Sequence, residues 1–366
     1  MSLTVVKFNK QKQPEFYKVL KKRVNQHFIE NNLAKTANFN MKFKTTFMLG
    51  LYFIPLILML SGTVASFWWT ILLWALMGFG MSGIGLAIMH DANHCAYSKR
   101  KWVNEALGFT MNFIGGYHIT WKIQHNVLHH SFTNVHEFDE DLDQKMFCMS
   151  PCQERKGFHK FQAFYATFLY SLLTVFRYAV KDFQQVKRYH EMDLLKGQGL
   201  TYGSAIAQVV IYKATYLVVT LILPLLLIDL PWWQIAAGFA LMHIICSLIS
   251  AFIFQLAHVL EETHFYKTDE NGSVENSWAI HQLKTTANFA NNNKIFSWFI
   301  GGLNYQVEHH LFPNICHVHY RHLSPIVKAT AAEYNIPYFQ HETFWGAMRS
   351  HFSLLHQLGK HTKVAV

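Results

Sequence analysis

The chain has 366 residues, 51% of them apolar and 15% charged, with 32 Lys and Arg against 22 Asp and Glu for a formal net charge of +10. Much of the apolar content lies in long uninterrupted runs, which argues against a pair of ordinary soluble domains and for an integral-membrane chain. The five cysteines (Cys95, Cys148, Cys152, Cys246, Cys316) form no CxxC pair and no even framework, so neither a disulfide-stapled secreted domain nor an iron–sulfur site is expected; no nucleic-acid motif accompanies the positive charge.

Residues 1–46 are basic and lack the short apolar core and cleavage site of a secretory signal. Within them Phe16, Leu20, Val24 and Phe28 recur every four residues, with Lys18, Lys21, Lys22 and Arg23 between. That stripe predicts an amphipathic helix, which suits a membrane surface and equally suits packing on the rest of the protein.

Four apolar segments follow at about 47–65, 67–89, 205–228 and 232–256, each long enough to cross a bilayer. They pair into two hairpins. Pro55, Lys213 and Pro224 fall inside them, and a span tolerates such residues when neighbouring helices satisfy the freed groups. Of the Lys and Arg residues only Lys213 lies in a span, and the short loops 61–66 and 229–231 hold none. Positive charge is retained in the cytoplasm, so both termini and the long segment 90–204 are expected there, with Trp68, Trp69, Trp232 and Trp233 forming an aromatic belt at the opposite surface. The run 107–119 is short and broken by Gly115 and Gly116, and suits a re-entrant or interfacial segment. The run 161–180 is long enough to cross, but crossing would export the basic loop before it, so it too is expected to be interfacial.

Three histidine clusters lie at the predicted cytoplasmic edge. His90 and His94 close the second span at i, i+4, a spacing that aims two imidazoles at one point from an α-helix. His125 and His129 repeat it, with His130 displaced by about 100° around an α-helix, so one helix addresses two metal ions. Gln306, His309 and His310 stand at i, i+3 and i+4 after the last span. Any one such cluster is a weak signal. Three at one membrane face point to a shared metal site, and these histidines exceed what one tetrahedral zinc needs; two five- or six-coordinate irons would use them. Imidazole alone does not choose among Fe, Zn, Cu and Ni. Asp91, Glu261, Glu262, Glu308, and also Asp139, Asp141 and Asp143, are candidates to hold the outer ring nitrogens; for the last three, solvated loop charge is the competing reading. His118, His136, His281, His317 and His319 read as neighbours rather than ligands, and His243 as a packed membrane histidine.

The boxes HDANH, HNVLHH and QVEHH, with the strings WKIQHNVLHHSFTN and GGLNYQVEHHLFPNICHVHY, resemble the membrane fatty acid desaturases, especially the front-end and bacterial linoleoyl-CoA-type members. The resemblance covers roughly 47–323, leaving 324–366 as a cytoplasmic C-terminal segment. It implies an all-α integral membrane protein with a cytoplasmic helical cap around a diiron centre. It also implies O2-dependent insertion of a cis double bond into a long-chain acyl substrate carried as acyl-CoA or acyl-lipid. The ligand set implied is His90, His94, His125, His129, His130, His258, His309 and His310. Gln306 takes the ninth position, by coordination, through water or by hydrogen bonding only; His258 comes from the string FQLAHVLEETHF, with His264 the weaker choice. No HPGG haem motif is present, so ferredoxin or free cytochrome b5 is the expected electron donor, and a bacterial cytoplasmic membrane the expected location. A lipid hydroxylase or ketolase is the nearest alternative, and a histidine-rich metal transporter the alternative from another class; the latter requires ligating groups such as His243 within the spans.

Overall fold

The apolar runs fold as helices whose ends are set by caps as well as by hydropathy. The computed structural model describes residues 6–9, 13–64, 66–142 and 144–360; Asp143 lies outside the described residues. Among the described residues the chain divides into two units, one of Asn38–Ile123 with Phe168–Ala251, the other of the described residues from Val6 to Ala37, Gln124–Thr167 and the chain from Phe252 on.

Helix α1, Pro14–Glu30, opens on a proline at its first position, where the missing N–H costs no hydrogen bond. Its stripe of Phe16, Leu20, Val24 and Phe28 is fully buried against Leu283, Leu311, Leu323 and Val327 of the second unit. The apolar face is therefore satisfied by protein, and the membrane-surface alternative does not hold.

Helices α2 (Phe39–Leu60), α3 (Phe67–Asn93), α8 (Tyr202–Leu227) and α9 (Trp232–His258) are the four long enough and apolar enough to cross a membrane. α2 starts eight residues before the expected span because the Asn38 side chain accepts from Met41 N at 3.1 Å and caps it, and it ends near Gly62, whose φ of 72° stops helical propagation. α3 runs past the expected end to carry the first histidine cluster, passing through a π turn at Ile84–Ile88. α8 begins with a reciprocal cap between Thr201 and Ser204, and its π turn at Val218–Ile222 precedes Pro224, which cannot donate to the turn before it. Trp68 and Trp232 are 76% and 72% exposed at the starts of α3 and α9, and the Phe67 and Trp233 rings lie 6.2 Å apart. These helix ends therefore share one edge of the first unit.

Neither extra apolar run forms an unbroken span. After α4 (Lys101–Gly108) a 3-10 turn at Phe109–Ile114 closes on Gly115 with φ 83°. Helix α5 then starts at His118 and runs through a π turn, Ile123–His129, to Phe132. The later run is split between α6 (Gly157–Tyr170) and α7 (Leu173–Glu191), which bend by 77°.

The second unit also contains the shorter helices α10 (Trp278–Thr285), α11 (Lys294–Phe299), α12 (Gln306–Leu311), α13 (Tyr320–Glu333) and α14 (Phe344–Lys360). Among the described residues, the exceptions to an all-helical fold are two parallel strand pairs and an isolated bridge between Val135 and Tyr266. β1 (Lys7–Phe8) pairs with β2 (Ser273–Val274), and β3 (Ala287–Phe289) with β4 (Phe339–His341). His351 of α14 bonds the Val259 carbonyl at 2.8 Å and fixes the chain just after α9.

Because Leu20 is wholly buried in the core that carries α12, Leu20→Ala should cost about 2–5 kcal/mol. A lowered midpoint of thermal unfolding in detergent checks this; an unchanged midpoint would mean that α1 leans on lipid.

Candidate metal centre

The second histidine cluster lies in and just after the π turn Ile123–His129. A π turn closes i→i+5 hydrogen bonds and so draws residues five apart to one side, which an α-helical register does not. His125 Nε2 and His130 Nε2 stand 3.2 Å apart. Two imidazole lone pairs do not face each other at that distance without a proton or a cation between them. The rings of His125, His129 and His130 have centroids 4.7–5.8 Å from one another. The expected 100° displacement of His130 is thus replaced by a tighter three-ring group.

The third cluster is carried by α12 after the turn at Gly301 and Gly302, both with positive φ. A side chain at Gly302 would also meet His317 at 3.2 Å, so glycine is needed on two counts. Asn288 holds the first turn of α12: its Oδ1 accepts from Val307 N at 2.9 Å, and its Nδ2 donates to Glu308 at 2.8 Å. His309 and His310 then meet the second cluster, with His130–His309 centroids at 4.5 Å and His130–His310 at 4.4 Å. His258, the last residue of α9, lies 4.7 Å from both His129 and His310.

Two triads result, His129, His258, His310 and His130, His309, His310, each with one ligand nitrogen per residue within 4.8 Å of the others. They share His310. All five residues are buried.

Four of the five rings are held from behind. His258 Nδ1–H donates to the Thr285 carbonyl at 3.1 Å, and its Nε2 is buried with no hydrogen-bond partner. His310 Nδ1 lies 2.7 Å from Gln282 Oε1 and 3.2 Å from Thr133 Oγ1. His129 Nδ1 contacts both Asp139 oxygens at 3.1 and 3.2 Å. His309 Nδ1 lies 3.2 Å from the Tyr320 hydroxyl. A carbonyl or carboxylate behind Nδ1 selects the tautomer whose lone pair is on Nε2. The orphaned Nε2 of His258 and the all-imidazole donor set fit a divalent transition metal. Gln306 is 1% exposed, and its Nε2 also has no hydrogen-bond partner. A half-turn of that amide presents its oxygen instead.

In the other unit, His90 and His94 lie 4.9 Å apart, both edge-on to Trp121. Asp91 comes no closer to His90 Nδ1 than 3.9 Å.

The carboxylates differ from expectation. Asp139, a candidate for which loop charge was the competing reading, is 1% exposed and is the acid that holds a cluster histidine; it also accepts from Asn134 N and Asp141 N. Glu308 contacts Asn288 and Tyr338 rather than a ring nitrogen, and burial pushes its carboxyl up to about 7 against the lowering effect of those hydrogen bonds. It braces α12. Glu262 pairs with His341 at 3.2 Å and accepts from Ser350 at 2.8 Å, and these contacts, His341 first, hold its carboxyl below the usual range. Glu261 bonds Ser353 and Gln357.

Gln282, Thr133, Thr285 and Tyr320 were not anticipated. Thr133 belongs to the string HHSFTN, directly after the cluster, which was the available signal. Its neighbour Asn134, at φ 57°, turns the chain back and donates to the carbonyls of His258 and His264. Among the remaining histidines, His281 bonds the Thr133 carbonyl at 2.6 Å, His319 the Thr36 carbonyl at 3.3 Å and His118 the Asn112 side chain. His243 uses both ring nitrogens, on Thr174 at 2.9 Å and Tyr216 at 3.0 Å. That is the packed membrane histidine expected, with both nitrogens engaged and neither offered to a transported ion.

Comparison with known proteins places this geometry in context. A family model described as fatty acid desaturase matches residues 66–342. The chain is 34% identical over 362 residues to the sn-1 linoleoyl-lipid 6-desaturase of Arthrospira platensis, covering 98% of this chain and 96% of that protein. It is 35% identical over 350 residues to the protein of the same name from Synechocystis, covering 94% and 96%. An acyl-lipid (8-3)-desaturase of Physcomitrium patens is 33% identical over 355 residues, covering 94% of this chain and 72% of that protein.

Asp139→Ala should lower metal affinity by about 10–100-fold, the usual cost of losing the partner behind a ligating imidazole, while Glu262→Gln should leave it unchanged. Competition against a chelator measures both; equal behaviour of the two variants would reject the role given to Asp139.

Proposed function

Because this chain belongs to the fatty acid desaturase family, we propose that it inserts a cis double bond into a long-chain fatty acyl substrate at a diiron centre, using O2 and an external electron donor. The observation that carries this reading is the buried convergence of His129, His130, His258, His309 and His310, whose ligand nitrogens come within 4.8 Å of one another in overlapping groups of three.

The proposed iron ligands are His90, His94, His125, His129, His130, His258, His309 and His310, with Gln306 in the ninth position through its amide oxygen. Two irons, when bound there, supply O2 activation strong enough to remove hydrogen from an unactivated methylene, which no side-chain acid or base can do. The protein contributes position and dryness. Outer hydrogen bonds from Asp139, Thr285, Gln282 and Tyr320 hold the rings so that their Nε2 atoms need no reorganisation when a metal enters. Burial of these side chains, all but the half-buried His94, keeps water from the reacting carbons.

The overall reaction converts –CH2–CH2– with O2, two electrons and two protons into –CH=CH– and two waters. Ferredoxin or cytochrome b5 is the class of donor. The glutamine opening the third box and the names of the relatives favour front-end insertion, and the same names favour an acyl chain carried on a lipid. The chain is an integral membrane protein; we place the metal centre and both termini on the cytoplasmic side, because the short loops hold no Lys or Arg, with helical hairpins α2–α3 and α8–α9 and a cytoplasmic helical cap. A bacterial cytoplasmic membrane fits this arrangement.

Expression in a host lacking desaturases, with acyl chains analysed by mass spectrometry, tests the reading. A product two hydrogens lighter is expected, lost together with bound iron in His94→Ala and His309→Ala and retained in His190→Ala. A gain of oxygen mass would instead favour a hydroxylase, and iron-loaded protein with no altered acyl chain would reject both.

A further inference from the structure

Lys213, well inside span α8, has a use outside the metal centre. Lys213, 5% exposed in α8, donates to Asp182 Oδ2 at 2.6 Å, to the Gly115 carbonyl at 3.1 Å and to the Arg177 carbonyl at 3.3 Å. Those are three acceptors for the three protons of an ammonium. Asp182, wholly buried at the start of the last segment of α7, is equally saturated: Oδ2 also accepts from Tyr117 N at 3.1 Å, and Oδ1 accepts from Thr120 Oγ1 at 2.8 Å and faces Arg177 at 3.5 Å.

Tyr117 is the N-cap residue of α5, and no cap bond comes from its own side chain. Asp182 therefore caps α5 from another helix, with its negative charge at the positive end of the helix dipole. Lys213 neutralises that carboxylate in apolar surroundings. The same helix α8 supplies two further points of attachment. Tyr117 OH donates to Gln208 at 2.9 Å, and Gly115, at φ 83°, packs so closely on Tyr216 that a side chain there would approach to 3.0 Å.

A buried ion pair is often no more stabilising than apolar residues of the same size, and a charge inside a span is costly. Stability alone does not account for the arrangement. Five residues beyond Thr120, without a break in the helix, comes His125, then His129 and His130. We infer that Asp182 and Lys213 are positioning residues for the second histidine cluster: they fix the start of α5 against span α8, and so set the register in which His125, His129 and His130 are presented.

This inference rests on the desaturase reading for one of its measurements only. Two double variants with the same charge separate capping from bulk. Asp182→Asn with Lys213→Met keeps an oxygen acceptor for the α5 terminus; Asp182→Leu with Lys213→Met removes it. In purified protein that remains monodisperse and helical, the Asn/Met pair should hold iron against a chelator as the unaltered chain does. The Leu/Met pair should lose iron at about tenfold lower chelator concentration, the low end of the effect of losing an outer partner, and form fewer double bonds per O2 consumed. Equal iron retention and equal coupling in the two pairs would overturn the proposal. Thr120→Val removes one bond to Asp182 without touching a charge and should move the chelator midpoint in the same direction; an unmoved midpoint would overturn the proposal even if the Leu/Met pair fails to fold. A wild-type chain that makes no double bond would instead defeat the desaturase reading and leave the iron measurements standing.

Discussion

A neutral imidazole has one lone pair, and the group bonded to its other nitrogen decides where that lone pair points. In this protein the deciding groups are the Asp139 carboxylate, the Thr285 carbonyl, the Gln282 amide oxygen and the Tyr320 hydroxyl, set behind His129, His258, His310 and His309. Without them the histidines would be a buried, titratable crowd. With them, the rings form two triads that meet at one residue. The cost of burying so many polar rings is met by those bonds, and the elements bearing the outer groups, α10, α13 and the loop after α5, have to be held as accurately as the histidines themselves.

That requirement explains features that look unrelated. The stripe of α1 is spent on the core that carries α10, α12 and α13 rather than on lipid. Asn288, Tyr338 and the buried Glu308 lock the first turn of α12. The π turn in α5 draws His125 and His130 to one side of their helix, where regular α geometry would separate them. π turns are uncommon and often mark functional sites; here one lies in the second cluster and another just before the first.

The membrane class, the four long helices and the histidine clusters were legible in the sequence because each depends on local spacing: apolar run length, i to i+4 repetition, glycine at a turn. What was not legible depends on partners distant in the chain. Nothing local distinguishes Asp139, which returns to His129 through a turn at Asn134, from a solvated loop acid. Glu262 and Glu308 lie beside the right segments, yet the fold directs them to His341 and Ser350 and to Asn288 and Tyr338. The start of α2 was misjudged because Asn38 caps the helix well before hydropathy rises. The α1 stripe was ambiguous because one pattern serves lipid and protein alike. Lys213 was visible as an anomaly, but only the structure pairs it with Asp182.

The central claim is that the clustered histidines hold two metal ions and that both are iron. Metal analysis of the purified protein, combined with Mössbauer spectroscopy of 57Fe-loaded samples, tests it most directly. The account predicts two irons per chain with the spectrum of a magnetically coupled pair. A single iron per chain, or zinc filling the site without iron, would contradict it.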